Sequence, residues 1–193
     1  MIDVERIVAN SIPLNSEGSH VVYWMTSARR SRWNHGLDHA IDLANEANVP
    51  LIIVESLALG HRWANDRIHT FVLQGMIDNR KLFESAPLTY IPYVETKQGQ
   101  AAGLLRSFTK GAVAMVIDDY PTYMPRDVAV RAMETGDCCV IAVDSNGIVP
   151  LRTPQRSFTT AYSFRRYLHK NVLGFLAKPP MAEPLKALND LPD

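Results

Sequence analysis

The 193 residues carry 20 Lys and Arg against 20 Asp and Glu, a formal net charge of zero, so the overall charge points to no class of partner and any electrostatic role is local. Apolar residues make up 47% of the chain. That excludes a disordered polymer and suits one folded domain with a sizeable core plus an extension.

Taken in chain order, residues 1–19 read as a loose lead-in. They include Glu5, Asn10, Pro13 and Glu17 and lack the apolar core of a signal segment. HVVYWM at 20–25 is a first strand. Trp33, Leu37, Ile41 and Ala44 recur three or four apart and predict a helix over 33–48, ended by Pro50. LIIVE at 51–55 is a β-branched second strand. After a loop with Gly60, His61, Arg62 and Trp63, Asp66 is placed as the cap of a helix to 84, with Ile68, Phe71, Val72, Gly75 and Met76 on its inner face. A third strand over 88–95 contains Pro92, which assigns it to an edge. A helix over 98–109, a strand over 112–118, a helix started by Pro125 and closed by Gly136, and a strand over 138–144 follow.

This alternation of strand and helix predicts an α/β fold: a Rossmann-like, doubly wound, five-stranded parallel sheet of order 3-2-1-4-5 with helices on both faces. In such a layer ligands sit beyond the carboxyl ends of the strands, where the order reverses. Residues 20–151 form this domain. The remaining stretch, 152–193, differs in character. From Ser145 to Ala182 there is no Asp or Glu, while Arg152, Arg156, Arg165, Arg166, Lys170 and Lys178 interleave with aromatics. A helix over 160–176 with one basic side, stopped by Pro179 and Pro180, is expected to pack against something outside the chain. An exposed stripe of Phe164, Leu168 and Val172 is part of that expectation.

Several chemistries lack their signature. There is no G-x-G-x-x-G, no P-loop and no nucleophile elbow. Cys138 and Cys139 are adjacent in an apolar strand, which suits buried thiols in a reducing compartment. His35 and His39 lie four apart in HGLDH, which is not the zinc-protease pattern, and read as solvated helix histidines. No apolar run is long enough to span a bilayer, so the chain is expected to be soluble and cytoplasmic.

YWMTSARRSRWN at 23–34, followed by a helix and VPLIIVE, resembles the N-terminal α/β domain of DNA photolyases, most closely the class II type. The resemblance continues through GHRWANDRIHTFVLQGMIDNRKLF at 60–83, VIDDYPTYMPR at 116–126, AVDSNGIVPLR at 142–152 and SFRRYLHK at 163–170. It covers roughly 21–176. It implies a domain able to hold an antenna chromophore, a folate or a deazaflavin. It also implies a helical C-terminal domain, beyond these residues, that carries FAD, binds damaged DNA and splits cyclobutane pyrimidine dimers. The chain alone is therefore expected not to split a dimer. The rival expectation is a stand-alone binding protein or partner subunit on the same sheet.

The predicted cleft draws on Met25, Thr26, Glu55, Asp118, Asp119, Tyr120 and Asp144. Arg29, Arg30 and Arg32 stand at the strand-to-helix turn beside it. Contact with an anionic ligand tail, pairing with acids of another domain and simple solvation all remain open for them. One carboxylate of the pair Asp118 and Asp119 reads equally as the cap of a turn with Pro121 or as a polar group aimed at a ligand. Trp33 and Trp24 are expected in the core.

Overall fold

The computed structural model describes residues 2–190. Its sheet has six strands, β1 Ile7–Ala9, β2 His20–Met25, β3 Leu51–Leu57, β4 Thr89–Val94, β5 Ala112–Asp118 and β6 Cys139–Val143, in the order β1-β6-β5-β2-β3-β4. The five parallel strands stand in the expected order, with Pro92 on the edge strand β4. The sixth strand is a correction. β1 lies within the stretch expected to be a loose lead-in and pairs antiparallel with β6, Ile7 opposite Val143, so the sheet is mixed. Three residues are too few for an alternation signal.

Five helices connect or follow the strands: α1 His35–Ala47, α2 Asp66–Phe83, α3 Leu104–Thr109, α4 Tyr123–Thr135 and α5 Ala161–Leu176. Side chains alternate across β2 and feed two cores. Val21, Tyr23 and Met25 join Leu37, Ile41 and Ala44 of α1 and Phe83 of α2 on one face. Val22 and Trp24 join Met115, Ile117, Ala129 and Ala132 on the other, where α3 and α4 pack. Phe83 is fully buried, and its truncation to Ala would cost about 3–5 kcal/mol. Asn34 caps α1 by accepting from the N–H groups of Gly36 and Leu37, and Asn48 ends it in the left-handed conformation at φ 52°. At Gly136, which ends α4, a Cβ would stand 2.7 Å from the Ala132 carbonyl oxygen of the helix and 2.8 Å from Val140 Cγ2 of β6, so the close turn from α4 into β6 favours glycine.

Some expectations fail for physical reasons. The cap of α2 is Asn65, whose side chain accepts from Ile68 N–H; Asp66 is the first helical residue. Only the C-terminal half of α2 reaches the sheet, through Met76, Asn79 and Phe83, and Phe71 is 75% exposed. The helix expected over 98–109 shrinks to α3, because Gly99 and Gly103 take positive φ in the preceding turns. Trp33 is not a core residue: it is 48% exposed, with φ 50°, just before α1. Trp24 is buried, and its indole N–H donates to Ser56 Oγ at 3.0 Å. His35 is buried, not solvated, and His39 is half-buried. Both cysteines are buried and free.

No residue of α5 is buried. Phe164 is 41% exposed, but Leu168 and Val172 are only half-buried, so the expected stripe is partly covered. The segment after α5 returns to α1. Met181 N–H donates to Asp38 and Leu188 is buried. Asn45 exchanges hydrogen bonds with Ala187 and Asn189. No helix among the described residues is long and apolar enough to cross a membrane.

Candidate functional site

The strand order reverses between β2 and β5, so the turn after Met25 and the end of β5 at Asp118 meet there. The turn does not offer its amides to solvent. Asp118 Oδ2 accepts from the backbone N–H groups of Thr26, Ser27 and Ala28 at 2.8, 2.7 and 2.9 Å. Its Oδ1 accepts from the Tyr23 hydroxyl at 2.7 Å. Burial and the neighbouring Asp118 carboxylate keep that phenol protonated well above its ordinary range. The nest of N–H groups that such a turn could turn toward an anion is thus filled from within.

Asp144 is likewise buried and internally satisfied, accepting from the backbone N–H groups of Asn146 and Leu151. Glu55, 1% exposed, receives Arg29 at 3.2 Å, Asn79 at 2.9 Å and the Tyr90 hydroxyl at 2.7 Å. Met25 is fully buried. Asp119 pairs with Arg152 at 2.7 Å, and Tyr120 is half-buried. The three arginines of the turn hold the fold: Arg29 on Glu55, Arg30 on the Ser145 carbonyl, Arg32 on the Ala182 carbonyl.

The open space lies to one side of the reversal. A cavity of about 740 Å³ runs along the α3 and α4 flank of the carboxyl edge, a volume within the usual ~300–1,000 Å³ of small-molecule sites. Of the predicted residues only Thr26 and Arg29 line it. Trp24, Ser56, His61, Tyr93, Leu104 and Arg131 complete much of the wall. Glu95 sits at its edge, held below the ordinary carboxylate range first by the Leu59 N–H and next by the Ala101 N–H. Thr26 is 8% exposed, and its Oγ1 has no hydrogen-bond partner among the described residues. A buried hydroxyl left free costs stability unless something arrives to pair with it. Arg131 forms no ion pair among the described residues, whereas Arg106 is paired with Asp137. At the C-terminal edge Trp63 and Tyr123 meet edge-to-face at 5.2 Å, Tyr123 with φ 58°.

Tyr93, His61 and Arg131 were missed in the sequence because nothing in their spacing marks them. The stretch 98–103, read as helix, is instead a turn that borders the cavity through Gly99 and Gly103.

Sequence comparison with curated proteins gives two strong relatives. A deoxyribodipyrimidine photo-lyase of Methanothermobacter thermautotrophicus is 31% identical over 154 residues, 79% of this chain and 34% of that protein. One of Arabidopsis thaliana is 30% identical over 179 residues, 90% of this chain and 35% of that protein. Most of the chain is similar in sequence to deoxyribodipyrimidine photo-lyases. The match falls on the photolyase N-terminal domain, and the chain spans about a third of the length of the curated relatives it matches. No protein-family model matches the sequence. Among solved structures, a universal stress protein from Archaeoglobus fulgidus aligns with TM-score 0.47 and 17% identity over 65% of this chain and 93% of that one. A universal stress family protein from Burkholderia pseudomallei aligns with TM-score 0.43 and 22% identity over 67% of this chain and 98% of that one.

Proposed function

We propose that the chain serves as the N-terminal, antenna-type domain of a photolyase-like flavoprotein that repairs cyclobutane pyrimidine dimers in damaged DNA, acting with a helical FAD domain. The observation that carries this reading is the 31% and 30% identity to photo-lyases over 79% and 90% of the chain. The flank cavity is the place for an antenna chromophore of the deazaflavin or folate class. Its volume suits one fused-ring ligand. Thr26 and Trp24 line its inner wall, and Arg131 supplies a charge toward the ligand's polar end. Bound there, the chromophore contributes light absorption, and the protein's part is to orient it and exclude water. Asp118 and Asp144 act by shaping the edge of the sheet. Residues 20–151 are proposed as the domain proper and 152–193 as the linker toward the FAD domain.

The test is titration of the chain with a deazaflavin and with methenyltetrahydrofolate, read by absorbance shift and ligand fluorescence. Saturable binding of one of them, weakened in Arg131→Gln, is the expected result. Absence of binding by both overturns the antenna assignment. An immunoblot of source cells reads the size of the native polypeptide. A band more than twice this chain's 21.6 kDa supports attachment to a second domain, and a band at 21.6 kDa overturns it.

A further inference from the structure

A second cavity, of about 300 Å³, lies on the opposite side of the switch point, between the start of α1, the turn after β6 and the segment following α5. His35 lines it together with Arg6, Arg30 and Lys178. His35 is 9% exposed, yet its ring makes no hydrogen bond among the described residues. It is also the first residue of a 13-residue helix, where backbone dipoles favour a negative charge. Arg6 is fixed deep in the wall by three carbonyl acceptors, those of Asp144, Gly147 and Ile148. Arg30 is fixed by two, those of Trp33 and Ser145, which engage its Nε and Nη2 and leave Nη1 with no partner among the described residues. Lys178 is paired with Asp3 at 3.3 Å. The rim is apolar: Trp33, Ile148, Phe175 and Pro180.

We infer that this cavity is a binding site for a phosphate group, with the His35 ring and the free end of the Arg30 guanidinium donating to its oxygens. The inference is separate from the antenna reading and uses a different cavity. A cationic pocket explains two features that packing does not: an imidazole 9% exposed without a partner, and the buried Arg6 and exposed Arg30 guanidinium groups converging on the same space. The groups facing His35 are Arg6 and Arg30, which oppose its protonation, and Asp144 and Asp3, which favour it. Burial is the largest influence, and the ring is held at a pKa of about 4. A bound dianion would offset the repulsion by Arg6 and Arg30. Ligand and proton would then assist each other, by the reciprocity of linkage.

The probes are sodium sulfate, a dianion across the whole pH range used, and sodium phosphate, with sodium chloride at matched ionic strength as the control. His35 ring resonances are followed by NMR on the full chain. Sulfate is expected to shift them saturably and to raise the His35 pKa from about 4 to about 5 or higher, so that it binds about tenfold more tightly at low pH than at neutral pH. Arg30→Gln should weaken binding about tenfold or more, and Lys178→Gln, on an exposed side chain, should weaken it less. A His35 response that chloride reproduces, or a sulfate affinity equal in wild type and Arg30→Gln, overturns the site. Should Arg30→Gln fail to fold, the chloride comparison and the His35 titration in the wild-type chain decide alone. A ribonucleoside monophosphate that binds more tightly than phosphate and changes Trp33 emission identifies a phosphorylated ring compound as the ligand. Equal affinity identifies the free anion.

Discussion

Replacing Asp118 and Asp119 one at a time by Asn should separate two neighbours that the sequence left alike. The Asp118 carboxylate, 1% exposed, accepts three backbone N–H groups and the Tyr23 hydroxyl, all at 2.7–2.9 Å. Asn keeps the shape and one carbonyl oxygen, so the three N–H groups retain an acceptor but lose its charge. A hydrogen bond to a charged group contributes about 1.5–3 kcal/mol and a neutral one about 0.5–1.5, a difference of about 1 kcal/mol per bond. The new NH₂ also faces the Tyr23 oxygen, whose O–H must swing to Asn34 Oδ1, 3.3 Å away. Discounted for non-additivity, Asp118→Asn should cost ~2–4 kcal/mol. That is a large share of the roughly 5–15 kcal/mol that holds a domain together. Asp119 only pairs with a half-exposed Arg152, and such a pair is worth ~0–1 kcal/mol. Urea unfolding reads both, as a shift of midpoint at unchanged slope. Equal losses in the two variants, or an Asp118→Asn loss within about 0.5 kcal/mol, would refute the reasoning that the turn depends on this carboxylate.

Thr26→Val removes the unpartnered hydroxyl at nearly constant volume, so it should stabilise the chain by about 1 kcal/mol; a loss of stability in thermal unfolding would contradict the free hydroxyl. Arg29→Met leaves the buried Glu55 carboxylate without its cation and should cost about 3–5 kcal/mol, whereas the double variant with Glu55→Gln should recover part of that loss in the same urea assay. His35 binds its proton less tightly folded than unfolded, its pKa being held at about 4 against an ordinary 6.5. Its penalty is absent above pH 6.5 and grows as pH falls toward 4, reaching ~3 kcal/mol. The stability difference between wild type and His35→Gln should change in that sense across the window, and a constant difference would refute it. Asp38 acts oppositely: burial raises its pKa to about 6, so wild type should gain on Asp38→Asn as pH falls from about 6 toward 3.8.

The parallel strands were legible because they are short runs of β-branched and apolar residues, buried on both faces, with turn signals between them. Their order followed from right-handed crossovers together with the doubly wound pattern of such alternating chains. What escaped depends on distant partners. β1 is three residues long and is stabilised by β6, more than a hundred residues away in the chain. Phe71 satisfies the periodicity of an inner face, but α2 leaves the sheet before reaching it, and periodicity carries no information about where a helix lifts off. Trp33 and His35 exchanged their expected places because the chain turns at φ 50° just before α1. That turn puts the indole at the rim of a cavity and the imidazole inside it. Of the four acids chosen at the carboxyl edge, Asp118 and Asp144 serve backbone amides, Glu55 serves buried side chains and Asp119 pairs with Arg152. A sequence shows a carboxylate at a strand end; it does not show which amides will reach it.

The basic run SARRSR at the strand-to-helix turn follows from the same constraint. Two carboxylates, Glu55 and Asp118, are buried at the ends of β3 and β5, on either side of β2. Neither could stay charged there alone. Asp118 is held by amides of the turn itself, and Glu55 by the guanidinium of Arg29, carried on that turn. Arg30 and Arg32 then tie the turn to the β6 loop and to the returning C-terminal segment. Because Asp118 consumes the amides, the turn cannot cradle an anion in the manner of a glycine-rich phosphate loop, which accounts physically for the missing glycine signature. A ligand at this edge must therefore bind beside the turn and be recognised by side chains. Thr26 and Arg131 face the larger cavity and Arg30 and His35 the smaller. Substitutions of Arg131 and His35 should change ligand affinity while the sheet and its turn remain folded, the opposite of what Asp118→Asn should do.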